Sequence, residues 1–406
     1  MSASVKRRHR GLRAAAICLS LLVLVVSVGG YAVQAWFNGT VARVHLNLGA
    51  HRPAKSAAGS ENWLLVGTDN TATDQFGVRS GTRSDTTILT HLDANGTTTN
   101  VSFPRDTLVT IPDYVDKLLR HWPAHRDKFN AAISIGGASL LVRIVELLTN
   151  VHIDHYVSVD LDGFEKISNV LDGVEICILA SPHTDPTDAA ITNINDGYSG
   201  FHGVDGPQKV AGAQALAFVR QRHGLPNEDI DRIARQQQFL GSVFREATTN
   251  HFLFDPVKVA ELVTAIKGAI TLDYSTSLSD LQRLALRLRG VNPSKVTFET
   301  IPHRGLEFSD TDLGAVTPYL GRPGGLPTLT PKGQELNIGS VQVLDQPALE
   351  AMLAPLRDRP SKPSKRSNPS TVPETPRSAV SAPATPAAPM SPPANTAASA
   401  GNRCTY

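Results

Sequence analysis

Segments with strand periodicity and segments with helix periodicity alternate along the first half of this 406-residue chain, and that order limits the folds it can adopt. The compact apolar run WLLVG at residues 63–67 predicts a buried strand. Two Thr-rich aliphatic runs, at residues 86–92 and 98–103, flank an Asn95-Gly96 dipeptide and predict a β-hairpin. The next segments are helical at residues 134–148, strand-like at 155–160, helical at 162–171 and strand-like at 174–179.

This alternation predicts an α/β fold, namely an α/β/α layered domain with a central mixed β-sheet. An irregular insertion rich in Gly and Asp occupies residues 180–210, and a helix is predicted over residues 208–218. Further helices are expected to begin near Asp255 and Ser277. Strands near residues 295–301 and 340–344 are expected to complete the sheet or one of its edges.

One transmembrane helix is predicted ahead of this domain. The apolar run at residues 14–36 is long enough to span ~30 Å of hydrocarbon. A cleaved signal peptide is the alternative, because small residues precede Trp36, but the run exceeds the usual ~7–15-residue apolar region of such peptides. The cations before the run place the N-terminus in the cytoplasm and the rest of the chain outside it. Those cations are Lys6, Arg7, Arg8, Arg10 and Arg13.

The chain therefore divides into five expected parts. Residues 1–13 form a basic cytoplasmic stub, 14–36 the anchor in the cell membrane, and 37–60 a juxtamembrane linker. Residues 61–355 form the extracytoplasmic domain. Residues 356–406 are a tail rich in Pro, Ala and Ser, with ten prolines from Pro360 onward, and this composition predicts disorder.

Charge and cysteine content limit the partners and the compartment. Of the 39 lysines and arginines, five lie in the stub, so 34 remain against 37 Asp and Glu, which excludes a nucleic-acid-binding footprint. Cys18 falls in the anchor. Cys177 and Cys404 are left as an even pair in a compartment that permits disulfides, and both a bridge and two free thiols remain open.

The segment AFVRQRHGLPNEDIDRIARQQQF at residues 217–239 concentrates charge. If FVRQRH ends an extended run, Arg220 and Arg222 share one face and can grip one polyanion. Farther along, Asp229, Arg232 and Gln236 have helical spacing and share a face. A surface helix with ordinary ion pairs is the alternative.

Other charged residues fall at or just after the predicted strand ends, where α/β sheets bind ligands. Clustered cations favour a multiply charged anion such as a diphosphate. Asp69 and Asp85 supply the oxygen ligands that Mg²⁺ takes together with phosphate oxygens, unless they only cap turns and pair with arginines. The charged residues at strand ends are Asp69, Arg83, Asp85, Arg105, Asp106, Lys128, Arg220 and Arg222.

Other common catalytic motifs are missing from the sequence. It contains no G-x-S-x-G elbow, no H-E-x-x-H, no paired C-x-x-C and no G-x-x-x-x-G-K-[ST] loop. The histidines are scattered, and we expect each to be structural or exposed; they include His121, His125, His152, His155 and His223.

Taken together, the motifs resemble those of the LytR-CpsA-Psr proteins, membrane-anchored enzymes that attach glycopolymers to the bacterial cell wall. The matching elements run in the family's order from residue 62 to about residue 245. The VEIC and RQRH forms are similar to actinobacterial members, which often carry a cysteine pair near the C-terminus. The elements are NWLLVGTD, RSDTTIL, SFPRDT, KFNAA, HYVSVDLDGF, LDGVEI, QALAFVRQRH and DIDRIARQQQF.

The resemblance implies that a sugar-1-phosphate moves from a polyprenyl diphosphate-linked glycopolymer to a peptidoglycan hydroxyl, with Mg²⁺ as cofactor. It implies metal-associated carboxylates at Asp69 and Asp85. Arg105 and Arg220 are the expected catalytic cations, and Asp106 or Asp229 the proton acceptor. The implied diphosphate-binding set is Arg83, Arg105, Lys128, Arg220, Arg222, Arg232, Arg235 and Gln236.

Two departures from the family and two other functions stay open. The family commonly has Gly where this chain has Asp231, and Ile or Val in place of Phe129. A lipid slot is expected along the helices at residues 134–148 and 208–218, unless these faces are plain core. A polyprenyl-diphosphate pyrophosphatase and a non-catalytic wall-binding or regulatory protein are the alternative functions. The polymer could be teichoic acid, arabinogalactan or capsule.

Overall fold

The computed structural model describes residues 28, 31, 34–69, 83–115, 121–249, 256–289, 295–306, 341–357, 398–399 and 404–406. The predicted membrane segment, residues 14–36, lies almost entirely outside these residues. Among the described residues, one helix, Ala131–Thr149, is long and apolar enough to cross a membrane. It is a core helix, because Leu141 and Val145 are fully buried within the domain.

The secondary structure alternates in type, as the sequence indicates. The strands are β1 (Ala42–Val44), β2 (Glu61–Asp69), β3 (Arg83–Leu92), β4 (Thr98–Ser102), β5 (Leu108–Ile111), β6 (Tyr114–Val115), β7 (His121–Trp122), β8 (His125–Lys128), β9 (His155–Asp160), β10 (Val174–Ile178), β11 (Asn195–Asp196), β12 (Phe201–His202), β13 (Gly206–Val210), β14 (Ile270–Asp273), β15 (Val296–Thr300), β16 (His303–Leu306), β17 (Val341–Leu344) and β18 (Ala398–Ser399). The helices are α1 (residues 34–40), α2 (Ala131–Thr149), α3 (Leu161–Val170), α4 (Gly212–Arg220), α5 (Asp229–Thr249), α6 (Pro256–Ala265), α7 (Leu278–Arg289) and α8 (Gln346–Arg357).

The main sheet is mixed, which confirms the prediction of an α/β fold with a central mixed sheet. Its strand order is β1-β14-β9-β2-β3-β4-β15-β18. The β2 strand runs parallel to β9 and antiparallel to β3, and β15 runs parallel to β4. The β3–β4 hairpin turns at Asn95 and Gly96, the predicted dipeptide.

Helices cover both faces of this sheet. Tyr156 of β9 belongs to the core that α2 and α8 build with Leu64 and Leu89. Val159 of the same strand points the other way, since side chains alternate along a strand. It packs against α3, where a Cβ on Gly163 would lie 3.1 Å from the Val159 Cγ1 atom. A second core joins α3, α4 and α5 to the separate β10–β13 ribbon.

Two predicted elements differ from the structure. The helix predicted over residues 208–218 begins only at Gly212, because Gln208–Val210 pairs with β10 as part of β13. The strand predicted near residues 340–344 pairs with β16 instead of joining the main sheet. Periodicity could not distinguish strand from helix at residues 208–210, because β13 is only five residues long and such a short alternating run is ambiguous.

The segments on either side of the predicted domain are part of it. Residues 37–60 were expected to be a linker, yet β1 pairs with β14, and Phe37 and Val41 are buried beside Leu272. Helix α8 runs to Arg357, two residues past the expected domain end. Within the expected disordered tail, β18 pairs with β15, and the Thr405 N–H donates to the Cys177 carbonyl oxygen.

Candidate functional site

A β-bulge brings two aspartates to the same end of neighbouring strands. In the β2–β3 ladder Gly67 pairs with Thr86 and Thr68 with Ser84, so Asp85 is the extra residue of β3. Asp69 lies opposite Arg83 in the next register position. Because a bulge redirects side chains and is frequent beside active sites, the local fold sets both carboxylates at one edge of the sheet.

The turn after β4 and the end of β8 each add one cation to this edge. The Asn130 N–H donates to the Arg105 carbonyl oxygen, which fastens the turn to the start of α2. The Arg105 guanidinium then reaches back, with Nη1 2.9 Å from the Asp85 Oδ1 atom and Nε 3.5 Å from the Asp106 Oδ2 atom. Lys128 Nζ lies 3.0 Å from Asp106 Oδ1, so the chain of charges continues to the end of β8.

Arg220 and Arg222 approach from the corner between α4 and α5. The extended run considered for FVRQRH is not formed, because Arg220 is the last residue of α4. Arg220 Nη2 lies 3.6 Å from Asp69 Oδ2. The chain leaves the helix at Gln221, and Arg222 Nε then lies 3.1 Å from Asp229 Oδ1. The two arginines therefore meet different carboxylates.

Arg232 interacts electrostatically both with the charges of Arg105 and Asp85 and with the charges of Arg222 and Asp229. Its Nη2 atom lies 2.9 Å from Asp229 Oδ1. Burial lowers the pKa of Arg232; the Asp229 carboxylate raises it, and the Arg105 and Arg222 guanidinium groups lower it further. Ion pairs connect most of the charged residues at this end of the sheet, the charge of Arg232 acts on Arg105, and Arg83 is included by its position opposite Asp69. We call this set the charged cluster; it comprises Asp69, Arg83, Asp85, Arg105, Asp106, Lys128, Arg220, Arg222, Asp229 and Arg232.

Several buried polar atoms of the charged cluster lack a hydrogen bond within the described part of the chain. They are the Nε atoms of Arg105, Arg222 and Arg232, and both carboxylate oxygens of Asp229. The Asp229 contacts with Arg222 and Arg232 are short in distance but not aligned as hydrogen bonds. Buried polar groups are normally satisfied, so spare donors from three arginines in one place indicate a site built for an anionic ligand.

The carboxylates fit a metal held jointly with a ligand. Within the described ranges no three His, Cys, Asp or Glu residues form a group that could hold a metal alone. Asp69 and Asp85 supply two carboxylates at adjacent strand ends. Mg²⁺ commonly takes one or two carboxylates and completes its shell with water and phosphate oxygens. In the structure Asp85 contacts Arg105 and Asp69 contacts Arg220, which is the pairing named as the alternative to a metal site. The same two carboxylates also suit Mg²⁺ bound together with a phosphate ligand.

Arg235 does not belong with the predicted diphosphate ligands. Its side chain is 0% exposed, and it packs over the Phe218 ring at 4.6 Å from the centroid. Its guanidinium donates to the Gln221 Oε1 atom at 2.8 Å and to the main-chain oxygens of Asn193 and Tyr406. Burial lowers the pKa of Arg235 to about 9. Arg235 therefore positions Gln221, the residue between Arg220 and Arg222.

Gln236 also braces the corner. Its Nε2 atom donates to the Val219 carbonyl oxygen at 3.2 Å, which holds the last turn of α4. Asp231, the departure from the family pattern, is bound locally: its Oδ2 atom accepts from the Asn227 N–H at 2.8 Å at the start of α5. Its carboxylate thus caps the helix start.

His303 also belongs near the site, although no sequence pattern indicated it. Burial lowers the pKa of His303, while its hydrogen bond to the Ile301 carbonyl oxygen and the charge of Asp229 raise it. His303 therefore lies within electrostatic reach of the charged cluster. No local motif could reveal this, because the two residues belong to elements that meet only in the fold.

A cavity of about 170 Å³ lies under the start of α2, on the face of the sheet that carries Tyr156. None of its lining residues falls in either segment predicted to line a lipid slot, residues 134–148 and 208–218; Ile133 of α2 immediately precedes the first of them, and α4 belongs to the second core. The cavity is lined by Thr68, Ile133, Tyr156, Ser158, Asp160, Gly268, Ala269 and Thr271.

Replacing Gly224 with alanine is expected to destabilise the α4–α5 corner. Gly224 has a φ of +73°, and a Cβ there would lie 2.6 Å from the Thr192 carbonyl carbon. Left-handed strain of about 1–2 kcal/mol adds to overpacking of about 1–3 kcal/mol, so we expect a clearly lower melting temperature. The control is Gly197→Ala, whose Cβ meets nothing within 4 Å. Equal melting temperatures for the two variants would contradict the steric argument.

Known protein sequences are similar to this chain over most of its length. The LytR_cpsA_psr family profile matches residues 33–320. The probable cell wall biosynthesis protein LcpB of Corynebacterium glutamicum is 31% identical over 313 residues, which cover 74% of this chain and 67% of LcpB. The polyisoprenyl-teichoic acid–peptidoglycan teichoic acid transferase TagU of Enterococcus faecalis is 28% identical over 275 residues, covering 66% of this chain and 80% of TagU.

A solved structure shares the fold. TagT bound to LIIa-WTA superposes with a TM-score of 0.55 and 21% sequence identity, covering 78% of this chain and 98% of TagT. At that identity the likeness concerns the fold alone. The family resemblance drawn from the sequence motifs is confirmed by the profile match.

Proposed function

The chain belongs to the LytR_cpsA_psr family, and we propose that it is a phosphotransferase that moves a glycopolymer from a polyprenyl diphosphate carrier to a hydroxyl of peptidoglycan. The name of the TagU relative describes such a transfer for teichoic acid. The observation that carries the proposal is the set of unsatisfied buried donors from Arg105, Arg222 and Arg232 at one edge of the sheet.

The charge of the cluster supports a diphosphate ligand. The charged cluster contains six lysine and arginine residues and four aspartates, so it carries a net positive charge before any metal binds. A diphosphate diester, with a lipid on one phosphate and a sugar on the other, carries two negative charges near neutral pH. Arginine forks also match the paired oxygens of phosphates geometrically. The cluster is thus complementary to this carrier in charge and in donor geometry.

The reaction follows from that arrangement. The acceptor oxygen forms a bond to the phosphorus that carries the sugar, the bridging P–O bond breaks, and polyprenyl phosphate leaves. Arg105, Arg220 and Arg222 stabilise the charge that develops on the phosphoryl oxygens. We assign the acceptor proton to a carboxylate oxygen of Asp229, because neither oxygen makes an aligned hydrogen bond, although Arg222 and Arg232 lie 3.1 and 2.9 Å from Oδ1. Asp106 is the weaker choice, because Lys128 Nζ lies 3.0 Å from its Oδ1 atom.

Mg²⁺ is part of the proposal, held by Asp69 and Asp85. When bound, it supplies positive charge that polarises the phosphoryl oxygens. The Asp85→Asn variant is expected to need about tenfold more Mg²⁺ for half-maximal transfer, since it loses a charged ligand but keeps the side-chain shape. Titration of activity with Mg²⁺ measures this. The exposed surface variant Asp172→Asn serves as the control, and an unchanged Mg²⁺ requirement in Asp85→Asn would reject the metal assignment.

We further propose that residues 14–36 anchor the chain by a single span, with the domain outside the cytoplasm. The burial of Phe37 and Val41 supports a domain that begins directly after the anchor. Protease added to intact spheroplasts should digest the domain and leave a small membrane-bound N-terminal fragment. Protection of the whole chain from the protease would show that the domain lies in the cytoplasm, contrary to the proposed topology.

The central test uses a fluorescent polyprenyl-diphosphate oligosaccharide, Mg²⁺ and uncrosslinked peptidoglycan with the full-length protein in detergent micelles. We expect the fluorescent saccharide to appear on peptidoglycan with release of polyprenyl phosphate. Free saccharide phosphate without labelled peptidoglycan would instead support the pyrophosphatase. No consumption of the donor would support a non-catalytic protein.

A further inference from the structure

An exposed ring pair lies next to the charged cluster and is not used by the proposed chemistry. Tyr198 is 71% exposed, and its ring lies 4.5 Å from the His223 ring, centroid to centroid. His223 follows Arg222 directly, and consecutive Cα atoms are only about 3.8 Å apart. The pair is therefore directly adjacent in the chain to a residue of the charged cluster.

The His223 ring is held in a fixed orientation by the carboxylate of Asp185. Its Nδ1 atom lies 2.9 Å from Oδ2 of Asp185, a carboxylate that is 7% exposed. Hydrogen bonds from the Thr187 hydroxyl and N–H, and from His223, lower the pKa of Asp185 to about 2, so it is charged at neutral pH. With Nδ1 turned inward, the Nε2 edge of the ring faces outward and can bond a hydroxyl or acetamido group.

The backbone of Tyr198 is also held in place. Asp196, which is 0% exposed, accepts the Tyr198 N–H through Oδ1 at 2.9 Å and the Ser199 N–H through Oδ2. Gln221 Nε2 donates to the carbonyl oxygens of Thr192 and His223, which joins the two backbones. A large exposed aromatic ring on a rigid backbone loses little entropy when a ligand covers it.

We propose that Tyr198 and His223 form a stacking platform for a pyranose ring of the saccharide chain next to the reacting phosphate. The inference rests on the proposed transfer function and deepens it. The C–H bonds on one face of a sugar ring pack against the electron-rich aromatic face, while the outward Nε2 edge of His223 selects a polar substituent. The sugar belongs either to the donor polymer or to the acceptor glycan.

The molecule offers a matched control pair. Tyr274 is 58% exposed and stacks on His45 with centroids 3.6 Å apart, but it belongs to the β14 end of the sheet. Tyr198→Ala is expected to weaken saccharide binding about tenfold, Tyr198→Phe to keep it within about twofold, and Tyr274→Ala to leave it unchanged.

Calorimetry on the full-length protein tests binding without requiring turnover. One arm uses a soluble uncrosslinked peptidoglycan fragment and the other a lipid-free oligosaccharide 1-phosphate. A loss confined to the first arm assigns the platform to the acceptor, and a loss confined to the second assigns it to the donor. Equal binding by wild type and Tyr198→Ala in both arms would overturn the platform.

Kinetics separate this role from catalysis by His223. Both Tyr198→Ala and His223→Ala are expected to raise the KM for the saccharide substrate and leave kcat nearly unchanged. If His223→Ala lowered kcat and altered its pH profile without changing KM, the platform would be wrong and His223 would be a proton acceptor. If wild type bound saccharide but transferred none, the proposed function would fail while the platform stood.

Discussion

Changing Arg220 and Arg222 together to alanine is expected to lower the rate of glycopolymer transfer by at least about 1,000-fold with little loss of stability. Removing one donor to a developing oxyanion typically costs about 100- to 1,000-fold, and this variant removes two guanidinium groups. Arg220 and Arg222 are 50% and 38% exposed, and each meets one carboxylate. Substituting such exposed side chains usually changes stability by less than about 0.5 kcal/mol.

The assay is single-turnover transfer of a labelled saccharide to peptidoglycan, with melting temperature measured in parallel. The matched control is Arg283→Ala, an exposed arginine of α7 that pairs with Asp280. The double lysine variant keeps both charges but loses the paired donors, so we expect an intermediate rate. An unchanged transfer rate in the double alanine variant would show that Arg220 and Arg222 do not take part in the reaction.

The sequence predicted the elements that build the sheet edge. The apolar run at β2, the Asn95-Gly96 hairpin and the strand at β9 each carry a strong local signal, and all three appear as expected. Asp69, Asp85 and Arg105 could be placed at strand ends for the same reason. Their convergence follows from pairing between strands that are close in sequence.

Other parts of the site depend on contacts distant in sequence. The extended run considered for FVRQRH is instead the end of α4, because this helix packs into the second core. Arg235 lies three residues after Arg232 on the same helix, so the sequence could not exclude it from the diphosphate-binding residues. In the fold it is buried against Phe201 and Phe218 and has a structural role. The bulge that exposes Asp85 depends on ladder register, which the sequence does not display.

Residues Cys404 to Tyr406 are the clearest example of contacts that connect residues far apart in the sequence. A disulfide joins Cys177 of β10 to Cys404, across 227 residues of sequence, and thereby brings Tyr406 to the buried Arg235. The two alternatives left open for the cysteines could not be separated by sequence, because pairing depends on the edge of β10 being available. The proline-rich composition of the preceding residues also concealed an ordered end.

The Arg235→Met variant is expected to lose about 3–5 kcal/mol of unfolding free energy, because it leaves the buried acceptors of Gln221 and Asn193 without a donor and also removes the bond to the Tyr406 oxygen. Urea unfolding of the full-length protein measures the loss. Arg245→Met on the same helix is the control; Arg245 is partly buried and donates to Ser242, so we expect a loss below about 1 kcal/mol. A similar loss in the two variants would deny Arg235 its bracing role.

Cys404→Ser is expected to lose about 2–5 kcal/mol, since the disulfide closes a long loop. Part of this loss is the same as in Arg235→Met, because freeing Cys404 also releases the Tyr406 oxygen from the guanidinium. The combined variant should therefore lose less than the two single variants together, by about 1 kcal/mol or more. Strict additivity would mean that the bridge and the buried arginine act independently, and that the C-terminal residues do not support the corner that presents Arg220 and Arg222.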